Sequence, residues 1–207
     1  MTYFSAKKAP TRQQGISLVI VLVLLFATLF LGMSAAVIAI QAEKASRGDR
    51  DRQVAFEAAE AALNDAAIDI EGSTAGIAAG RVFAPDSAIG FPALDGAVTC
   101  YTAKDSVNFG LCRSPVAGKP ASWLSADFSV DDINAESVEF GHFTQNKFAT
   151  GSGSLPTRMP RYLIELIPDI QAGNSAQKVK FFYRITAIGF GAHSDTRVVL
   201  QTFHRKV

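Results

Sequence analysis

The sequence predicts an α+β protein in which one long N-terminal helix packs on an antiparallel sheet. Three observations predict it. Ile16 to Ile40 is a run of twenty-five residues without a charge. From Gln41 to Glu71 the chain turns to Ala, Glu, Asp and Arg, with apolar residues recurring at helical steps. After Pro160, three segments alternate apolar and polar residues, the pattern of half-buried strands.

Each element follows from its local chemistry. At ~1.5 Å per residue the run from Ile16 to Ile40 is long enough to cross a bilayer as a helix. The helix is expected to continue through Glu71. Val54, Ala55, Ala58, Ala59, Ala62, Ala66 and Ile70 form one stripe, and Glu57, Glu60, Asn64, Asp65 and Glu71 take the remainder. Gly48 is a soft point, because glycine in a helix costs up to ~1 kcal/mol relative to alanine. Gly72 stops the helix. Small residues, Pro85, Pro92 and several glycines make Ser73 to Gly96 irregular. Ala97 to Ala103 reads as a short strand carrying Cys100, with Val98 and Thr102 on the same face. Asn108 to Pro120 and Ala149 to Pro160 read as loops, the second flexible at Gly151-Ser152-Gly153-Ser154. Strands are predicted over Arg161 to Ile167, ending at Pro168, over Lys178 to Ile188, and over Thr196 to His204. Val179, Phe181, Tyr183 and Ile185 share one face of the second; Val198, Leu200 and Thr202 share one face of the third. Gly189, Gly191 and His193-Ser194-Asp195 turn between them, giving an antiparallel meander with one face free for the helix.

The junction Gln13-Gln14-Gly15-Ile16-Ser17-Leu18 carries the functional signal. Met1 to Gly15 holds Lys7, Lys8 and Arg12 and no acid, a bias that keeps the N-terminus cytoplasmic and sends the rest across the membrane. A secretory signal is cut after its apolar stretch, whereas here the candidate small residue, Gly15, precedes it. This arrangement resembles the class III signal of type IV prepilins. Arg50-Asp51-Arg52-Gln53-Val54-Ala55-Phe56-Glu57-Ala58-Ala59-Glu60-Ala61-Ala62-Leu63 resembles the helix after the membrane part in PilX-type minor pilins. Tyr183 to Gly191 and Thr196 to Gln201 resemble the last hairpin of that family, while Glu71 to Pro160 is covered only loosely.

The resemblance implies a pilin-like architecture: a leader at 1–15, a membrane or filament-core half-helix at 16–40, an amphipathic half at 41–71, and a periplasmic head at 72–207. It implies cleavage by a prepilin peptidase between Gly15 and Ile16 and methylation of the Ile16 amine. The implied partners are other minor pilins, the major pilin, the inner-membrane assembly platform and the membrane itself. The protein would sit in the bacterial inner membrane before assembly and in the pilus, at its tip, afterwards. One departure sharpens this: most prepilins place Glu at the fifth position after the cut, and here that position is Ile20. The function implied is a structural one, to initiate, prime or cap a type IV pilus, with an adhesive role open to the loops between Ser73 and Pro160. The capping pseudopilin of type II secretion is an alternative within the same class. A signal-anchored periplasmic binding protein or enzyme is an alternative outside it.

Composition and motifs weigh against the enzyme. The net charge is +1, and the leader's three basic residues account for more than all of it, so no excess of positive charge points to nucleic acid. His142, His193 and His204 are far apart and belong to no metal-binding or catalytic signature, and no phosphate-binding loop occurs. No cofactor is expected. The cysteines, Cys100 and Cys112, fall on the translocated side without C-x-x-C spacing, which predicts one structural disulfide. Asp127, Asp131, Asp132, Glu136 and Glu139 form the densest acidic stretch but match no calcium-binding loop, so no metal is assigned. Arg47-Gly48-Asp49 falls inside the predicted helix, where an exposed adhesion loop has no place.

Overall fold

The computed structural model describes residues 16–93, 98–114, 118–132, 134–169 and 180–206. The chain divides into two compact units, one ending at Arg47 and one beginning at Gly48. Helix α1, Ile16–Gly72, contributes to both.

In the first unit α1 is exposed on every side from Ile16 onward, and it is apolar as far as Ile40. In the second unit it is amphipathic. Ala55, Ala58, Ala59, Ala62, Ala66 and Ile70 are buried as the stripe predicts, and Val54 is half-buried at its margin. Gly72 ends the helix at φ 108°, a conformation that glycine adopts without a Cβ clash.

Among the described residues the sheet has five strands, in the order β1-β3-β4-β5 with β2 also pairing β3. These are β1 (Leu111–Arg113), β2 (Val138–Glu139), β3 (Arg161–Asp169), β4 (Lys180–Phe190) and β5 (Arg197–His204). The meander β3-β4-β5 is antiparallel as predicted, and β2 joins β3 antiparallel. The sheet is nonetheless mixed, because β1 runs parallel to β3. Two short helices are α2 (Thr74–Ala78), inside the stretch read from sequence as irregular, and α3 (Ser122–Ser125), just after the loop that ends at Pro120.

Three expectations are corrected. The predicted strand at Ala97 to Ala103 shrinks to a single bridge between Cys100 and Cys112, flanked by main-chain bonds between Tyr101 and Leu111 and between Thr99 and Arg113; Ala97 lies outside the described residues. The regular strand is its partner, β1, inside the segment read as a loop. Second, β3 does not stop at Pro168. The Phe181 N–H, opposite Pro168, turns away to donate to Pro85 O (2.9 Å), so the 168/181 pair is one without mutual bonds and proline removes none. Third, β4 runs on through Gly189 to Phe190. Lys178 and Val179, assigned to that strand from sequence, lie outside the described residues.

Two apolar clusters sandwich the sheet. On the helix side Ala62, Ala66 and Ile70 meet Tyr162, Ile164 and Leu166 of β3 and Tyr183, Ile185 and Ala187 of β4, joined by Phe83, Phe91, Phe109 and Phe143 from the loops. On the far side Leu163, Ile188 and Phe190 are covered by the Cys100–Cys112 disulfide, Phe128 and Trp123. The far face of β5 has no such cover: Val199 and Phe203 stand 46% and 64% exposed.

Candidate functional site

The first part of the site is the apolar half of α1. Its mean hydropathy reaches 2.9, and it is long and apolar enough to cross a membrane. Its polar side chains are handled locally: the Thr28 hydroxyl donates to Leu25 O and the Ser34 hydroxyl to Phe30 O, both at 2.9 Å. That leaves no hydroxyl proton of those two residues unpaired in an apolar surround. Ile16 is the first described residue of the helix, and Ile20, one turn on, presents only hydrocarbon. Gly15, and with it the Gly15–Ile16 bond, lies outside the described residues. Glu43 and Arg47, four residues apart on the same face, form an exposed ion pair where the apolar run has ended.

The second part is the seam between α1 and the head. Asp51, Ala55, Ala58, Ala62, Asp65 and Asp69 follow steps of four, three, four, three and four, so they form a straight ridge along the helix. The alanines bring backbones together. At Gly189 of β4 an added Cβ would lie 2.0 Å from Ala55 O and 2.3 Å from Ala59 N, so only glycine fits there. The three aspartates then fasten the helix at separate points. Asp51 Oδ1 accepts the N–H groups of Ala192 (2.5 Å) and His193 (3.1 Å) in the β4–β5 turn. Burial pushes the Asp51 pKa up, but hydrogen bonds from Thr196, His193 and Ala192 outweigh it and hold the carboxyl below its ordinary range. Asp65 accepts from Gly141 N–H and Asn146 Nδ2, both at 2.8 Å, and from the Thr144 hydroxyl.

Asp69 forms a fully buried ion pair with Arg81, 3.0 Å apart, and accepts from the Tyr162 hydroxyl at 3.2 Å. Burial raises its pKa above the ordinary range, against the pull of the Arg81 charge. Arg81 also donates to Val107 O and Phe109 O and lies 3.8 Å over the Phe143 ring, so one guanidinium gathers the helix and two loops. Asp65 was expected on the solvated face; it is 1% exposed. The signal that could have found it is its spacing, seven residues from Ala58 and three from Ala62, whereas the stripe read from apolar residues alone passed it over. Glu57, Glu60, Asn64 and Glu71 are exposed as expected.

Cys100 and Cys112 are joined by a disulfide. The acidic stretch does not converge: Asp131 is held by Arg161 (2.7 Å) and Lys104 (3.0 Å), and Asp127 caps its own turn through Ser129. Among the described residues no group of three or more His, Cys, Asp or Glu side chains is placed to hold a metal. The histidines stay apart. His142 packs edge-on against Phe109 and Phe143, and burial lowers its pKa. His193 lies 3.2 Å from Asp51, and His204, half-buried, lies 2.7 Å from Glu71. Arg47-Gly48-Asp49 is helical.

Two family models match the chain. One, described as type IV pilus assembly protein PilX C-term, matches residues 97–206. The other, described as PilX N-terminal, matches residues 14–64. No curated protein and no solved structure matches.

Proposed function

The chain belongs to the PilX family of type IV pilus assembly proteins, and from that premise we propose that it is a minor pilin that helps initiate, prime or cap the assembly of a pilus, at the filament tip. The observation that carries the tip reading is Ile20. In pilins generally a Glu at that position pairs with the terminal ammonium of a neighbour already in the filament. A carboxylate without that neighbour is strongly unfavourable in hydrocarbon, so a subunit that enters first does better with an apolar residue. Ile16 can still offer its own ammonium to an incoming Glu, which makes the contacts one-sided.

The rest of the reading follows the order of the sequence. The apolar run 16–40 holds the precursor in the inner membrane, and the basic leader 1–15 keeps the N-terminus cytoplasmic and the head in the periplasm. A prepilin peptidase cuts Gly15–Ile16 and methylates the new amine. The assembly platform then lifts α1 from lipid into a bundle with the major pilin and other minor pilins, exchanging one apolar surround for another. The exposed apolar surface from Ile16 to Ile40 supports that exchange. The role is structural, and the family description favours the pilus over the secretion pseudopilus.

Mass spectrometry of the N-terminal peptide from membranes tests the processing. A chain beginning at methylated Ile16 is expected, and an intact Met1 start in cells with an active peptidase overturns the reading in favour of an uncut anchor. Replacing Gly15 with a bulky residue leaves precursor in the membrane and reduces piliation.

A further inference from the structure

Beside the far-side cluster lies an open cavity of about 310 Å³, between α3 with the turn after it and the place where β4 ends and β5 begins. Its floor is Ile188, Phe190 and Val199, and its walls are Trp123 and Phe128. Two charged side chains also line it, Asp127 and Arg197. The volume is at the small end of the range for ligand pockets, ~300–1,000 Å³, and a mostly apolar lining with a few polar groups is their usual make-up.

The walls are set by bonds made outside the cavity. The Ser122 N–H donates to Glu165 at 3.0 Å, and the Ser122 hydroxyl donates to Arg113 O at 3.1 Å, which fixes the start of α3. Glu165 is fully buried and paired with Arg184 at 2.8 Å. Trp123, the next residue along, is thereby held in place. Across from it, Arg158 lies 4.8 Å over the Phe190 ring and donates to Ser129 O at 2.9 Å, tying the turn to β4. Within that turn Asp127 Oδ1 accepts the Ser129 N–H at 2.8 Å and the Ser129 hydroxyl. Ordering of this kind, made before a ligand arrives, lowers the cost of binding it.

What those bonds leave over defines the ligand. Asp127 Oδ2 has no partner among the described residues, and the Arg197 guanidinium makes no hydrogen bond there. Hydrogen bonds from Ser129, and then the Arg197 charge, hold the Asp127 carboxyl below its ordinary range, so it is ionised near neutral pH. The two side chains nonetheless form no ion pair with each other. A cation entering the cavity is repelled by Arg197, and an anion by Asp127. A zwitterion must shed the hydration of two full charges. An apolar group covers the floor but strips water from both charges and replaces none of it. A hydroxyl, by contrast, both donates and accepts. A ring with adjacent hydroxyls gives one proton to Asp127 Oδ2 and accepts a bond from Arg197, while its C–H groups rest against Trp123 and the apolar floor.

We propose that this cavity is a carbohydrate-binding site that takes a neutral sugar ring bearing adjacent hydroxyls. It gives a ligand class to the adhesive role left open to the loops between Ser73 and Pro160. The proposal goes beyond the tip reading and does not depend on it, since the cavity lies wholly within the head.

The test uses the full-length protein in dodecylphosphocholine, a detergent without a sugar head. Trp123 is the only tryptophan, so its emission reports the cavity directly. Glucose, galactose, mannose, N-acetylglucosamine, lactose and cellobiose are titrated in turn. At least one is expected to shift the emission saturably, and no saturable shift with any of them overturns the proposal. Asp127→Asn keeps an acceptor for Ser129 but loses the carboxylate, and Arg197→Gln removes a guanidinium that holds nothing else. Each is expected to weaken binding about tenfold or more with thermal unfolding unchanged. Wild-type affinity in both variants overturns the placement. Cyclohexanol, a ring with one hydroxyl, and free phenylalanine, a zwitterion, are the controls, and both are expected to bind more weakly than the sugar. Cyclohexanol binding as tightly assigns the cavity to an apolar side chain of a partner, and phenylalanine binding as tightly assigns it to an amino acid; either result refutes the sugar.

Discussion

Gly189 is the position where the account of the head can be tested most sharply. An added Cβ would lie 2.0 Å from Ala55 O, 2.3 Å from Ala59 N and 3.0 Å from Ala58 C. Ordinary contact for such atoms begins near 3.4 Å, so Gly189→Ala forces the helix and strand about 1.4 Å apart locally. The obstacles are backbone atoms on both sides, so no side chain can swing away to make room. Overpacking of this kind costs about 1–3 kcal/mol. The displacement also loosens Asp51 from the Ala192 and His193 N–H groups, just beyond the end of the same strand. With each hydrogen bond contributing about 1 kcal/mol, the total reaches about 3 kcal/mol or more. For a domain of this size that lowers the unfolding midpoint by about 6–12 °C. The only tryptophan, Trp123, packs against the far side of the sheet, so its fluorescence reports the head while the apolar half of α1 stays helical in detergent. Gly48→Ala is the control, because nothing lies within 4 Å of that position, and it is expected to be neutral or stabilising by up to ~1 kcal/mol. A Gly189→Ala midpoint equal to wild type would refute the close-packed seam.

Other perturbations act on single links. Cys100→Ser is expected to destabilise the head by about 2–4 kcal/mol, and stoichiometric labelling of both wild-type cysteines without reductant would contradict the bond. Arg81→Met leaves Asp69 buried without its partner and costs about 3–5 kcal/mol near neutral pH by urea unfolding. Because the folded-state pKa of Asp69 is already raised, its favourable share is present when it is protonated and lost as pH rises through that pKa; the Arg81→Met deficit therefore shrinks on acidification. Asp131 behaves in the opposite sense. Hydrogen bonds from Arg161 and Lys104 hold its pKa below 3.8, so its contribution is present above that value and is lost as pH falls through the folded pKa. Unfolding curves of Asp131→Asn should show a flatter acid limb than wild type, and an unchanged limb would count against the pairing.

The long helix and the β4–β5 hairpin were legible in the sequence because each repeats one period over many residues. The stop at Gly72 was legible for a local reason, since glycine adopts a positive φ without cost. What escaped has physical causes too. β1 is three residues, Leu111, Cys112 and Arg113, buried on both faces, so no alternation marks it. β2 is shorter still. Pro168 was read as a stop because the spared ladder bond depends on where Phe181 donates, which is a tertiary fact. Asp69 and Arg81 are twelve residues apart and meet only when the helix docks. The seam was half visible: alanine spacing marked the face, while Asp65 within it was set with the polar remainder because charge is usually solvated. The cysteine pair was legible from compartment and separation.

The tip assignment rests on Ile20, and immunogold labelling of sheared pili tests it most directly. With the antibody raised against the head, gold at one end of each filament and few copies per pilus is the predicted result. Regular decoration along the shaft would contradict it.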